Sequence, residues 1–315
     1  MRVRNFRVTG YLPDWNHYEG PLRYDCLDAI QYAFAIPTEE GDLLPLPDPE
    51  YAHRMVWEAH AHGTEFWVSV GGWSWQDVPL EATFNHIADS PERIRRLIRS
   101  AADLCREYDL DGIDMDWEYP RIQRTEGCEA LYVGLADVLH SMGKKISTAV
   151  YAGADARFDG KDWLGSPVRE INYGINDKTV EAMDYINIMA YDGGDGPYHS
   201  GYDFSVRSAR VWLEERHIPP EKLLLGVPFY ARKGTSYRNI IAAEPDAANF
   251  DEYLINGKGM YYNGRHTMER KTVYAAQNMG GVMIWELTED AESDEDSLLQ
   301  LIHEVAEREK NTPGS

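Results

Sequence analysis

The chain has 315 residues, of which 43% are hydrophobic, and its 53 acidic and 31 basic residues give a formal net charge of -22. This length and apolar content suffice for one large hydrophobic core. The negative charge would repel the phosphates of nucleic acids and anionic membrane surfaces, and no run of about 18 apolar residues predicts a membrane span. We therefore expect no nucleic-acid or membrane partner, and a neutral ligand fits the charge better.

The cysteines and the N-terminal segment each exclude a class of protein. Cys26, Cys105 and Cys128 are widely spaced, which predicts reduced packing residues rather than a disulfide framework or a zinc site. No spacing of potential ligands favours a metal, and no motif calls for a cofactor, so we expect neither. Residues 1–15 lack the apolar run of a signal peptide. We therefore expect a cytoplasmic chain, or a secreted one if a signal was removed ahead of Met1.

Short β-rich runs recur along the chain and are separated by segments long enough for a helix. The predicted strands are Phe6–Tyr11, Ala29–Ala35, Glu65–Val70, Gly112–Trp117, Lys145–Tyr151, Tyr185–Ala190, Leu223–Tyr230 and Gly281–Trp285. Ser90, Pro91 and Glu92 have the residue types of a helix N-terminus, and helical periodicity also occurs in 205–217. Eight strand–helix units predict an α/β fold, the closed parallel (β/α)8 or TIM barrel. A doubly wound sheet would need a glycine-rich phosphate loop after its first strand, and 10–15 is not one.

The run DGIDMDWEYP, residues 111–120, is the most informative stretch of the chain. Side chains alternate in direction along a strand, so Asp114, Asp116 and Glu118 share one face, with neighbours about 7 Å apart. The residues between them are apolar and are expected to pack against outer helices, which leaves the acids inside the barrel: Ile113, Met115 and Trp117. A buried row of carboxylates is costly unless protons are shared, so the pattern favours catalysis over an exposed acidic edge or a metal site.

Repulsion within this row predicts a general acid. The field of an ionised neighbour raises the pKa of a carboxyl, which keeps it protonated near neutral pH. Glu118 is outermost on the strand and is the predicted proton donor. A usual glycosidase pair flanks the scissile bond, whereas these acids lie in one row, and that arrangement suits assistance by the substrate better than an enzymic nucleophile.

These residues resemble a known signature, the DxxDxDxE motif of family 18 chitinases, matched by Asp111, Asp114, Asp116 and Glu118. Four further segments resemble motifs at the strand ends of that family: Ser69–Gly72 (SxGG), Met189–Asp192 (MxYD), Gly226–Arg232 and Gly280–Trp285. The ordered matches run from about Tyr11 to Trp285 and so cover nearly the whole chain.

The resemblance implies retaining, substrate-assisted hydrolysis of β-1,4 linkages between N-acetylglucosamine units in chitin or chitooligosaccharides. In that mechanism the 2-acetamido oxygen attacks the anomeric carbon while Glu118 protonates the leaving oxygen, and Glu118 then activates water. Asp116 would orient the acetamide N–H, and Tyr191 would donate a hydrogen bond to the acetamide oxygen. Asp114 and Ser69 would hold Asp116.

The resemblance also implies a set of sugar contacts. Trp285 would form the floor under the reacting sugar, and Trp73 would stack on the leaving-group side, because an aromatic ring covers the apolar face of a pyranose well. Further implied sugar contacts are Tyr11, Ser69, Asp192 and Arg232. Core packing is instead predicted for three other tryptophans, Trp57, Trp163 and Trp212.

No repeat, low-complexity tract or Gly/Ser-rich linker marks an internal boundary. We therefore predict a single catalytic barrel domain over 1–315, monomeric, with a short insertion at about 233–279 between strands seven and eight. Many members of the family carry a larger insertion there, so we expect a more open groove. The open alternatives are an endo-β-N-acetylglucosaminidase acting on N-glycans, a peptidoglycan or spore-cortex hydrolase, a metal-dependent hydrolase and a catalytically inactive chitin-binding lectin.

Overall fold

Eight parallel strands close into a barrel in which every strand pairs with its sequence neighbours and the last pairs with the first. The computed structural model describes residues 6–153, 170–171, 173–193, 197–232 and 234–311. The strands are β1 (Arg7–Pro13), β2 (Ala29–Ala35), β3 (Glu65–Gly71), β4 (Gly112–Asp116), β5 (Lys145–Tyr151), β6 (Tyr185–Met189), β7 (Leu223–Pro228) and β8 (Gly281–Trp285). All eight predicted strands are present, and the predicted fold class is confirmed.

Helices cover the outside of the barrel. In the described part of the chain they are α1 (Pro49–Ala61), α2 (Leu80–Ala88), α3 (Pro91–Tyr108), α4 (Thr125–Ser141), α5 (Asp177–Ala182), α6 (Tyr202–Arg210), α7 (Tyr237–Ala243), α8 (Arg265–Asn278) and α9 (Leu298–Asn311). The Ser90 side chain caps α3 as predicted, because its Oγ accepts a hydrogen bond from the Arg93 N–H at 3.4 Å. The predicted helix at 205–217 begins earlier, as α6, and continues as a π-helical turn over Val211–Glu215. None of these helices combines the length and apolar character needed to cross a membrane.

Strand β4 is oriented as its pattern predicts. Ile113, Met115 and Trp117 are fully buried on the side facing the helices. Trp117 stacks on Phe84 of α2, with ring centroids 5.2 Å apart and planes 13° apart. Because alternate residues face opposite ways, this packing turns the acidic residues into the barrel.

The other packing predictions have mixed outcomes. Trp212 is buried, as expected, and Trp163 lies outside the described residues. The prediction for Trp57 is wrong, since that side chain is 71% exposed. The buried stripe of α1 consists of Tyr51, Ala52, Met55, Val56 and Ala59, and position 57 lies off that stripe. The three cysteines are free and buried, as predicted.

The connection between β7 and β8 contains both a regular barrel helix and an added segment. Helix α8 belongs to the strand–helix alternation, so the extra structure lies before it. That structure contains α7 and an antiparallel hairpin of Glu252–Ile255 and Lys258–Tyr261. The Arg232 N–H donates to the Tyr261 carbonyl at 2.9 Å, which attaches the hairpin to the chain just after β7. Lys233, where the predicted insertion begins, lies outside the described residues.

Candidate active site

A cleft of about 650 Å³ opens at the carboxyl ends of the barrel strands, where barrels of this kind carry their chemistry. Eight of the ten predicted site residues line it: Tyr11, Trp73, Asp116, Glu118, Tyr191, Asp192, Arg232 and Trp285. The other two, Asp114 and Ser69, are fully buried beneath it. The strands therefore bring all ten residues into one region, in two layers.

Asp114 is held by four hydrogen bonds from side chains on four other strands of the barrel. Its Oδ2 accepts from Tyr11 Oη at 2.8 Å and Ser69 Oγ at 2.7 Å. Its Oδ1 accepts from Ser147 Oγ at 2.6 Å and Asn187 Nδ2 at 3.1 Å. Burial raises the pKa of Asp114, and hydrogen bonds from these donors oppose that rise. The four donors fix this carboxyl in place.

Strand register explains how two of the four donors reach Asp114. Ser69 on β3 and Ser147 on β5 are the register partners of Asp114 on β4, so one hydroxyl approaches it from each side. Ser69 thus contacts Asp114 and not the cleft, which differs from its expected place among the sugar contacts. Tyr11 both lines the cleft and donates to Asp114.

Asp116 differs from Asp114 in having an unsatisfied oxygen. Its side chain is 3% exposed, and its Oδ1 has no hydrogen-bond partner among the described residues. Burial raises the pKa of Asp116 well above the ordinary range, and the nearby Glu118 and Asp114 raise it further. A buried acceptor without a donor costs free energy, so this oxygen is ready to receive an N–H or O–H from a ligand.

Two glycines let the strand ends approach each other at Asp116. Gly71 and Gly72 have φ angles of 123° and 100°, a region that L-residues rarely adopt. A Cβ on Gly71 would lie 2.2 Å from the Asp116 carbonyl oxygen, and the Gly72 N–H donates to that same oxygen at 2.9 Å. The SxGG segment therefore serves the close packing of β3 against β4.

Glu118 lies at the end of this acidic row and reaches the cleft. Burial raises its pKa to about 7; a hydrogen bond with Tyr119 lowers the pKa and the negative charge of Asp192 raises it. Near neutral pH a substantial fraction of Glu118 therefore carries a proton, which is the condition for a general acid.

Tyr191 and Asp192 follow β6 and face the cleft. Burial, with the nearby carboxylates, raises the pKa of the Tyr191 hydroxyl well above its ordinary value, so this group keeps its proton and can donate it in a hydrogen bond. Asp192 accepts a hydrogen bond from Tyr230 Oη at 2.6 Å, and its Oδ1 lies 3.0 Å from His199 Nδ1. Burial raises the pKa of Asp192, but bonds to His199 and Tyr230 outweigh it and hold the pKa below the ordinary value.

Aromatic rings form the floor and rim of the cleft. Trp285, at the end of β8, stacks with Phe34 at a centroid distance of 5.9 Å and lies 5.3 Å from the Tyr11 ring. Trp73 is 41% exposed at the rim. The sequence reasoning missed two further exposed rings in the lining, Trp15 and Trp75. Both lie in connections between strands, and no strand pattern locates such positions.

Several other polar residues of the site were also missed. Ser147 and Asn187 could have been found, because both are polar residues within otherwise apolar strands and must face the barrel interior. His199 lies in a loop and Tyr230 in the two-residue strand Tyr230–Ala231 after β7, and no local pattern signals the role of either. Arg232, by contrast, was predicted as a sugar contact, and its guanidinium donates to the Gly193 carbonyl at 3.4 Å.

Comparison with known proteins places this barrel in a family. The chain matches the family described as Glycosyl hydrolases family 18 over residues 7–290, and it therefore belongs to that family. A chitinase-like effector of Moniliophthora roreri is 26% identical over 251 residues, which are 71% of this chain and 58% of that protein. Chitinase A1 of Niallia circulans is 24% identical over 298 residues, with 71% of this chain and 40% of that protein covered.

Among solved structures, the GH18 chitinase ChiB of Flavobacterium johnsoniae has a TM-score of 0.76 and 28% sequence identity, and the match covers 96% of this chain and 94% of that chain. The chain thus spans about half the length of the two curated relatives above but nearly all of this solved chitinase.

Proposed function

We propose that this chain hydrolyses β-1,4 linkages between N-acetylglucosamine units in chitin or chitooligosaccharides, with retention of configuration. The observation that carries the proposal is the unpartnered Oδ1 of buried Asp116, beside a Glu118 whose pKa is raised to about 7. An acetamide N–H on the substrate is the donor that this oxygen lacks. Solved and curated relatives named as chitinases support the same substrate.

In the first step the substrate's own 2-acetamido oxygen attacks the anomeric carbon. Glu118 transfers its proton to the leaving glycosidic oxygen, so the bond breaks without expelling an alkoxide. Asp116 accepts the acetamide N–H and stabilises the positive charge that develops on the cyclic oxazolinium intermediate. Tyr191 donates to the acetamide oxygen, which holds that oxygen below the anomeric carbon.

In the second step water opens the cyclic intermediate. Glu118, now a carboxylate, takes a proton from the water as its oxygen attacks the anomeric carbon. Two successive inversions at that carbon give net retention. Asp114, held by four donors, keeps its carboxyl fixed beneath Asp116 during both steps.

Sugar positioning falls to the aromatic residues and the polar rim. Trp285 packs under the reacting sugar, and Trp73 packs under the sugar on the leaving-group side, each covering an apolar C–H face. Tyr11, Asp192 and Arg232 line the same cleft and supply polar contacts. We also propose that the barrel and the segment inserted after β7 act as one catalytic domain.

The test is product analysis of chitotetraose and cellotetraose, two tetrasaccharides that differ at the 2-position. We expect cleavage of chitotetraose with the β-anomer as first product by NMR, and no cleavage of cellotetraose, which lacks the acetamide. Turnover of cellotetraose would rule out substrate assistance. Binding of chitotetraose without cleavage would identify a lectin, and loss of activity in excess EDTA would point to a metal-dependent hydrolase.

A further inference from the structure

A fully buried lysine lies outside the cleft lining. Lys271 on α8 has no exposed surface. Its Nζ donates to Ser200 O at 2.5 Å, Ser200 Oγ at 2.8 Å and Asn263 Oδ1 at 2.5 Å. An ammonium group has three hydrogens, so these acceptors match its charged form. Burial opposes that form and lowers the pKa of Lys271 to about 7, while the charge of Asp251 raises it. Such a costly group at a buried position calls for a role.

The lysine is connected to the segment that carries Tyr191. Ser200 Oγ accepts from Lys271 and itself donates to the Ala190 carbonyl at 2.6 Å, immediately before Tyr191. Asn263 Nδ2 donates to the Ser200 carbonyl at 3.0 Å. Ser200 is therefore fixed through both its backbone and its side chain, and it fixes the end of β6 in turn.

A second connection passes through the neighbouring residue. His199 is 1% exposed; its Nδ1 lies 3.0 Å from Asp192 Oδ1, and its Nε2 lies 3.3 Å from the Tyr230 carbonyl. An imidazolium donates to both oxygens, whereas Nδ1 of a neutral ring accepts from the Asp192 N–H at 3.2 Å. In either form the ring joins Asp192 to Tyr230, so fixing Ser200 also fixes the partner of Asp192.

We propose that Lys271 is a positioning residue for the reaction, which through Ser200 and His199 holds the Tyr191–Asp192 segment against Glu118. This inference rests on the proposed function. Lys271 does not line the cleft, so its effect on substrate is indirect. Asn263 comes shortly after the added hairpin in the chain and bonds to both Ser200 and Lys271. The same network therefore connects the added structure between β7 and β8 to the proposed acetamide-binding side of the site.

The charges around the site determine what a loss of this positioning would change. Besides burial, the pKa of Glu118 responds to the hydrogen bond with Tyr119, which lowers it, and to the negative charge of Asp192, which raises it. Asp192 in turn faces His199, Tyr230 and Arg232. If the segment loosens, Asp192 moves away or becomes protonated, and in both cases its raising effect on Glu118 falls.

The experiment compares Lys271→Met with the matched control Lys222→Met. Lys222 Nζ also donates to three acceptors, the carbonyls of Val180, Glu181 and Met183, and they lie outside the cleft lining. The measurement is the midpoint of the alkaline limb in the pH profile of kcat/KM on chitotetraose, taken over a pH range in which each variant stays equally folded, so that loss of folded enzyme scales the profile without moving the midpoint. We expect the alkaline limb to move down by about 0.5 pH unit in Lys271→Met and to stay unchanged in Lys222→Met.

Two more variants keep the test decisive. Ser200→Ala breaks the link to Ala190, and His199→Gln removes the imidazole. Each variant should shift the alkaline limb in the same direction as Lys271→Met. The double variant Lys271→Met with His199→Gln should shift the limb no further than the single variants do. If Lys271→Met does not fold, Ser200→Ala and His199→Gln carry the test. An unshifted limb in the folded variants overturns the inference while the proposed function stands. A wild-type protein that does not cleave chitotetraose overturns both.

Discussion

The pKa values of interior carboxylates are shifted in opposite directions at the two ends of the barrel. At the amino end Glu65 opens β3, and its side chain pairs with Arg7 and, at 2.7 Å, with Lys145 Nζ, while Trp67 Nε1 donates to it at 3.0 Å. Burial raises the pKa of Glu65, but the charges of Arg7 and Lys145 outweigh this and leave it below the ordinary value. The Arg7 guanidinium also lies 4.7 Å from the centre of the Tyr185 ring.

At the carboxyl end neither Asp116 nor Glu118 pairs with a cation of the described residues, and the pKa values of both are raised. Arg7, Glu65 and Lys145 each begin an odd-numbered strand, so they form one layer of the barrel interior, as side chains from alternate strands do in this fold. The same interior therefore holds a carboxylate compensated by cations and, at the other end, the carboxylates that the proposed mechanism uses. The difference lies both in the supply of cations and in depth of burial, since the Glu65 side chain is 27% exposed and Asp116 is 3% exposed.

The largest expected effect is a loss of kcat in a pair of isosteric Glu→Gln variants, one at each end of the barrel. Glu118→Gln removes the transferable proton, so we expect kcat on chitotetraose to fall by about 10³-fold, with binding by calorimetry retained. Glu65→Gln alters the ion-pair layer and should leave kcat per folded molecule unchanged. A Glu118→Gln variant with a tenth of the wild-type rate would end the assignment of Glu118 as the acid.

A second comparison separates two acids of the same motif. Asp116→Asn removes the negative charge that stabilises the intermediate, so we expect kcat to fall by about 10²-fold. Asp111 is the matched control, because its Oδ2 accepts from the Phe66 N–H at 2.8 Å and lies 2.8 Å from His60 Nε2 at the other end of β4. Asp111→Asn should lower the thermal midpoint and leave kcat unchanged. Equal losses of kcat in both variants would contradict the division between the two ends.

Much of this contrast could be predicted from sequence, because it depends on the two-residue period of strands. Alternation along β4 placed Asp114, Asp116 and Glu118 inside the barrel, and the apolar residues between them outside. The predicted strand boundaries also lie within two residues of the observed ones, since buried parallel strands are continuous apolar runs.

The rest depends on contacts between distant segments. Ser147 reaches Asp114 through the pairing of β4 with β5, and Asn187 reaches it from β6, which does not pair with β4; no single strand specifies these contacts. His199 and Lys271 act through loop and helix packing, and Trp57 shows that a large apolar residue can lie off the buried stripe of its helix. Strand alternation and motifs therefore predicted which residues lie at the cleft, whereas the residues that hold them in place depend on tertiary packing.

The pH profile of activity sharpens the comparison further. Glu118 must be protonated in the free enzyme, and its pKa is raised to about 7, so kcat/KM should fall tenfold per pH unit above about pH 7. The measurement is kcat/KM on chitotetraose between pH 5 and pH 9. The alkaline limb of Glu65→Gln should lie at the same pH as that of the wild type, since Glu65 lies at the opposite end of the barrel from Glu118. A wild-type profile flat to pH 9 would contradict the protonated state assigned to Glu118.

The smallest effect is on stability, and the two ends should differ in sign. Because folding raises the pKa of Glu118, its contribution to stability is complete below the unfolded value of about 4.3 and is lost as the pH rises through about 7. Because folding lowers the pKa of Glu65, its contribution is present above about 4.3 and is lost as the pH falls through the folded value. At pH 8, urea unfolding should therefore find Glu118→Gln more stable than wild type by roughly 1 to 3 kcal/mol and Glu65→Gln less stable by a similar amount. Both differences should shrink toward pH 4, and shifts of the same sign at pH 8 would mean that the amino-end layer does not compensate its carboxylate.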